Sequence, residues 1–172
     1  AASDVYKRQE NTDSTAYLEL GNVLMQMNDK PGARFALESA SNLAPGNKQI
    51  TLSLAKLDED DNRLGDAEKI YRQILDREPG ELSVMQRLAD VLDDQGKIEE
   101  SIATYQKIVQ LNPTSAESFN NLGWELQKTK DLNGALAQYK KALSLDPNFT
   151  DARINIGNIY LCLLYTSPSP RD

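Results

Sequence analysis

Histidine is absent from the chain, and the single cysteine, Cys162, lies close to the C-terminus. Without histidine there is no Ser-His-Asp or Cys-His arrangement to activate a nucleophile. No glycine-rich phosphate loop is present, because Gly96-Lys97 lacks the upstream glycine that such a loop needs. No run of about 18 apolar residues occurs, so nothing within the sequence is expected to span a membrane. Positive charge is also short: 19 basic side chains stand against 26 acidic ones. An acidic domain repels phosphate backbones, which argues against nucleic acid as a partner. Segments of alternating polar and apolar residues are missing too, so no β-strand is expected.

Helical periodicity is what the sequence has instead. From Ala116 to Phe149, one stripe of Phe119, Leu122 and Leu126 steps by three and four. A second stripe of Leu132, Leu136, Tyr139 and Leu143 does the same. A polar break, Lys128 to Asp131, separates them. The pattern predicts two amphipathic helices in an antiparallel hairpin. Gly123, Ala135 and Ala142 mark where the helices approach closely. Pro147 ends the unit, because proline cannot continue a helix in its interior. The unit recurs along the chain: Pro45, Pro79, Pro113 and Pro147 are each 34 residues apart. This gives repeats 14–47, 48–81, 82–115 and 116–149 and a partial fifth, 150–161. One hairpin cannot bury its apolar face alone, whereas stacked hairpins bury a continuous core. Asn47, Ser115 and Thr150 are placed to cap first helices, and Pro31 suits the first turn of a second helix.

A 34-residue period with Phe119, Leu122-Gly123, Leu126, Ala135, Tyr139, Ala142 and Pro147 at fixed offsets resembles the tetratricopeptide repeat family. The resemblance covers nearly all of residues 14–161. It implies an all-α, right-handed superhelical α-solenoid of antiparallel helix pairs, with the first helices lining a concave face. The departures are local. Thr51 and Asp58 stand where large residues belong in the second repeat, Arg153 does so in the fifth, and Ile74 and Ile108 replace the last small residue. They are expected to loosen the helix packing of the second repeat without changing the fold.

Residues 1–9 and 162–172 share nothing with the repeats and resemble in-frame translations of the adapters used to prepare sequencing libraries. Set aside as tails expected to be disordered, they leave a solenoid of residues 10–161. That segment has 16 basic and 24 acidic side chains and a net charge of −8, once Lys7, Arg8, Arg171, Asp4 and Asp172 are removed. The cysteine goes with the tail, so redox compartment and localisation stay unassigned.

Three short patterns suggest chemistry and fail on their neighbours. The run Asp58-Glu59-Asp60-Asp61-Asn62 resembles a calcium loop. However, Arg63 sits where the sharp-turn glycine is needed, and Lys69 where the bidentate glutamate belongs. Asn148-Phe149-Thr150 matches a glycosylation sequon, a three-residue pattern that often arises by chance. Acidic pairs such as Asp93-Asp94 read as ordinary solvated charge. No catalytic set, cofactor site or metal site is expected.

What the resemblance implies is binding. In the family, side chains at the second, fifth, sixth, ninth, twelfth and thirteenth places of each repeat face the concave side. The candidate partner-binding residues drawn from those places are Asn22, Lys56, Asp60, Arg87, Asp90, Asp94, Asn120, Asn121, Trp124, Asn155 and Asn158. Some members clamp a C-terminal carboxylate through a lysine in the first repeat; Leu18 stands there, which disfavours that ligand. Asn121 and Asn155 occupy the place of an asparagine ladder that grips a peptide backbone in other members. Glu59, Asp60, Asp90, Asp93 and Asp94, partly offset by Lys56 and Arg87, point to basic segments as partners. Trp124, the only tryptophan, is not needed for the packing of its own repeat. It is the candidate anchor for an apolar or cationic side chain. In the competing reading the indole merely seals the stack against the neighbouring helix.

The expected function is a protein–protein interaction scaffold that binds a protein or peptide segment on its concave surface and is not an enzyme. Two other roles fit the same repeats: the targeting region of a larger enzyme such as a glycosyltransferase, and a spacer or oligomerisation arm. The fifth first helix is expected to expose Ile156, Ile159 and Tyr160 for want of its partner helix. Self-association through the truncated C-terminal end follows from that exposure.

Overall fold

In the computed structural model the backbone is described for residues 2–166 and the side chains for residues 13–164. Every regular element among the described residues is a helix: α1 (Ala2–Gln26), α2 (Lys30–Leu43), α3 (Lys48–Asp60), α4 (Leu64–Arg77), α5 (Leu82–Asp94), α6 (Ile98–Leu111), α7 (Ala116–Lys128), α8 (Leu132–Leu145) and α9 (Thr150–Thr166). Consecutive helices pair, α1 with α2, α3 with α4, α5 with α6 and α7 with α8, and α9 packs on α8. The result is an all-α, tetratricopeptide-like solenoid fold. The chain divides into two compact units, Ala1–Pro79 and Gly80–Asp172. Helix extends into both segments set aside from the sequence: α1 opens at Ala2 and α9 runs to Thr166. The remaining tail, residues 167–172, lies outside the described residues.

The 34-residue period reappears as a backbone conformation. Asn28, Asn62, Gly96 and Lys130 adopt left-handed φ values of 60°, 57°, 75° and 66°. Each closes a first helix. The amide of the next residue, Asp29, Arg63, Lys97 or Asp131, bonds back to the carbonyl of Leu24, Asp58, Leu92 or Leu126 at 2.7–3.0 Å, the six-to-one closure of a helix C-terminus. Second helices end at Ala44, Glu78, Asn112 and Asp146, each directly before a proline that disfavours helical backbone in the preceding residue.

Caps set the other ends. Asn47 Oδ1 accepts the amides of Gln49 at 2.9 Å and Ile50 at 3.3 Å, and Ser115 Oγ accepts that of Ser118 at 3.1 Å. Thr150 does not cap as expected. It is the first residue of α9, and its hydroxyl donates to the Asn148 carbonyl at 3.3 Å. Pro31 lies in the first turn of α2, which Asp29 caps by accepting the Gly32 amide at 3.1 Å.

In the first unit Leu18, Leu37, Ile50 and Leu57 pack around Ala33 and Ala40. In the second, Phe119, Leu136, Tyr139 and Ile159 pack around Ala135, Ala142 and Ala152. Burying one such large apolar side chain contributes about 1.5–3 kcal/mol. Gly123 is held by contact: a Cβ there would lie 2.6 Å from the Tyr139 ring. Two expectations need correction. Asp58 does not leave a loose slot. It is 4% exposed, and Arg34 Nη2 donates to it at 2.8 Å and Arg63 Nε at 3.1 Å, so ion pairs fill the place of the missing large residue. Ile159 is not exposed either. At 1% exposure it shares with Ala152 the face of α9 that packs in the core, whereas Tyr160, about 100° further round the helix, is open to solvent.

Candidate partner-binding site

Tyrosines of the second helices reach back to the polar face of the first. In the first unit the Tyr71 hydroxyl donates to Glu59. In the second, Tyr105 donates to Asp90 Oδ1 at 2.5 Å and Tyr139 to Gln127 Oε1 at 3.0 Å. Burial pushes the Tyr105 and Tyr139 phenols up, Tyr105 further with Asp90 beside it and Tyr139 to about 12 with Glu125 nearby. They therefore stay protonated and act as fixed donors. Burial also raises the Asp90 carboxyl, against the opposing pull of the Tyr105 hydrogen bond. The Asn121 amide lies alongside the same hydroxyl.

One turn away on α7, Trp124 stands 47% exposed while Phe119 and Leu122 of the same helix are buried. Residues 124 and 128 are neighbours on a helix surface, and the Lys128 ammonium lies 5.7 Å from the indole centroid. The same ammonium donates to Asp93 Oδ2 of α5 and, at 3.1 Å, to Glu125 Oε1. Burial works to lower the Lys128 pKa, but these two bonds more than reverse it. Glu125 is 3% exposed, the Ser101 hydroxyl lies against its carboxylate, and burial raises its pKa despite Lys128. Trp124, Gln127 and Lys128 line a shallow hollow of about 130 Å³.

The other predicted residues separate into two groups. Asn22, Asn120 and Asn155 bridge neighbouring first helices. Ser53 Oγ donates to Asn22 Oδ1 at 3.0 Å, and Asn155 Nδ2 donates to Asn120 Oδ1 at 3.1 Å. Asn120 is buried, so it presents little surface. Lys56, Asp60, Arg87, Asp94 and Asn158 are exposed. Sequence reasoning passed over Glu125 and did not single out Lys128. Helical spacing carried a signal for Lys128, four residues after Trp124 and three after Glu125. Its tie to Asp93, 35 residues away, had none.

Residues 8–119 match a family model described as the cytochrome c-type biogenesis protein H TPR domain. Residues 104–137 match a tetratricopeptide repeat model and residues 125–162 a TPR repeat model. No curated protein matches the chain. Among solved structures it resembles MamA, with 22% identity and a TM-score of 0.75 over 87% of this chain and 81% of that one. PilF of Pseudomonas aeruginosa is similar at 21% identity and a TM-score of 0.73, over 91% of this chain and 72% of that one. YrrB, described as a TPR protein with an unusual peptide-binding site, shows 19% identity and a TM-score of 0.70, covering 96% and 84%. At these identities the likeness is one of fold.

Proposed function

Because the chain belongs to the tetratricopeptide repeat family, a class of protein-interaction scaffolds, we propose that it holds a segment of another protein against the first helices of its repeats, with Trp124 as the anchor. The matched models describe repeat domains and no catalytic family. The observation that carries the reading is the half-open indole of Trp124, set among polar side chains on the side of α7 that the core does not use. One rigid aromatic side chain buries much area at small entropic cost, which is why tryptophan so often dominates binding energy. Asp90, Asp93 and Asp94 of α5 give the surroundings negative charge, which favours basic segments and sets on-rate more than affinity. Exposed Asn158 and half-buried Asn121 are the amides best placed to meet a peptide backbone.

Immobilised peptides of basic, neutral and acidic sequence, screened at low and high ionic strength, test this. Basic segments should be retained and should weaken as salt screens the carboxylates. Trp124→Ala should weaken the best of them by about 2 kcal/mol or more and leave the melting temperature nearly unchanged. A large fall in melting temperature with unaltered affinity would show that the indole serves the stack instead.

A further inference from the structure

Lys128 occupies the place that a ligand's cation would take. Its ammonium combines an aromatic face, Trp124, with a carboxylate, Asp93, reached from a different helix. That pairing is how proteins bind cationic groups. The internal cation nevertheless leaves the place partly used. At 5.7 Å from the centroid it sits near the outer limit for a cation–π contact. Lys128 bonds one oxygen of Asp93, Oδ2, with a single point charge. Asp93 and Glu125 together outnumber it. The hollow beside the indole, about 130 Å³, has room for roughly one side chain.

We propose that this is an arginine subsite and that Lys128 is its internal occupant. The guanidinium of a bound segment displaces the Lys128 ammonium, lies flat on the Trp124 indole and forks onto both oxygens of Asp93, while Lys128 swings into water. The inference rests on the segment-binding reading above and names the side chain that it recognises. Arginine is favoured over lysine for a physical reason. An incoming lysine repeats contacts that Lys128 already makes within the chain, and so gains nothing by displacing it. A guanidinium stacks on an aromatic ring, is more weakly hydrated and matches a carboxylate with two parallel bonds. The exchange swaps one positive charge for another, so the buried Glu125 carboxylate is never left without a cation nearby. Lys128 thereby acts as a built-in competitor that sets a threshold for the incoming residue.

Trp124 is the only tryptophan, so its fluorescence reports on this place alone. The probes are blocked pentapeptides, Gly-Gly-Arg-Gly-Gly and its counterparts with lysine or citrulline at the centre. Each is titrated into the full chain with tryptophan emission and calorimetry read together. The arginine peptide should shift the emission saturably, the lysine peptide should bind about tenfold more weakly, and the citrulline peptide should leave the emission unmoved. Lys128→Met should tighten the arginine peptide by about tenfold, and Asp93→Asn should weaken it by about as much. Equal responses to arginine and citrulline, or no gain in Lys128→Met, overturn the proposal. Should Lys128→Met fail to fold, the arginine and citrulline titrations of the unaltered chain decide alone. Calorimetric binding of the arginine peptide with the emission unmoved removes the subsite and leaves the segment-binding reading standing. No binding of any basic peptide removes both.

Discussion

Glu125 carries a carboxylate inside the helix stack, and its chemistry follows from that burial. Burial raises its pKa, Lys128 and the Ser101 hydroxyl pull it down and Asp93 adds to the rise, with a net upward shift. A carboxyl whose pKa rises on folding binds more protons folded than unfolded. The stability it contributes is present below the ordinary glutamate pKa and is lost as pH climbs through the raised value. Replacing Glu125 with Gln removes that titration. The stability difference between variant and unaltered chain should therefore be constant in acid, then move in the variant's favour across the window. Urea midpoints over a pH series measure it, and a difference flat with pH would show that Glu125 titrates no differently from an unfolded glutamate. Asp58 is buried to a similar degree, but two guanidinium groups bond it. Removing either partner from such a pair exposes the cost of a bare buried charge.

At the scale of the element, the turn after each first helix is the recurring device, and Lys130 is its weakest instance. Glycine occupies the left-handed position at Gly96, and asparagine, which tolerates it, at Asn28 and Asn62. Lys130 adopts φ 66° with a full side chain. Relieving that strain while restoring backbone freedom to the unfolded chain should leave Lys130→Gly more stable by a net of about 0.5–1 kcal/mol. Thermal or urea unfolding measures it, and a destabilised variant would show that the Lys130 side chain does more than tolerate the turn. These turns and the prolines that end the second helices were legible in the sequence, because each rests on a local constraint that recurs every 34 residues. Gly123 was legible as a close approach for the same reason. The bonds joining residues 24 to 35 apart were not: Arg34 to Asp58, Asn155 to Asn120 and Lys128 to Asp93 depend on the stacking of helices, which spacing within one helix does not report. The burial of Ile159 was misjudged on the same ground. The periodicity of α9 shows that it has apolar faces, but only the packing on α8 shows which one is covered. Trp124 was legible as a residue without a core role, and helical spacing put Lys128 beside it; the bond from Lys128 to Asp93 was not legible.

For the whole molecule, charge and apolar surface act against each other. The chain carries a net charge of −7, so two copies repel at low ionic strength. Against this, α9 leaves Ile154, Tyr160, Leu161 and Leu164 exposed, although Ile159 on the same helix is buried. An apolar face of this kind favours association, and a second copy offers the same face in return. Salt weakens the repulsion, with a screening length of about 8 Å at physiological ionic strength, and leaves apolar burial largely unaffected. Self-association should therefore strengthen as salt rises, whereas capture of basic segments should weaken. The opposite signs separate the two kinds of contact within one set of conditions. Sedimentation velocity at increasing protein concentration should show the average mass rising, more steeply at high salt. Leu161→Glu combined with Leu164→Glu places two charges on the exposed face of α9 without touching its buried side. That variant should remain monomeric throughout and bind basic peptides as the unaltered chain does. A strict monomer at high concentration and high salt, before any substitution, would show that the exposed face of α9 is too small to hold two copies together.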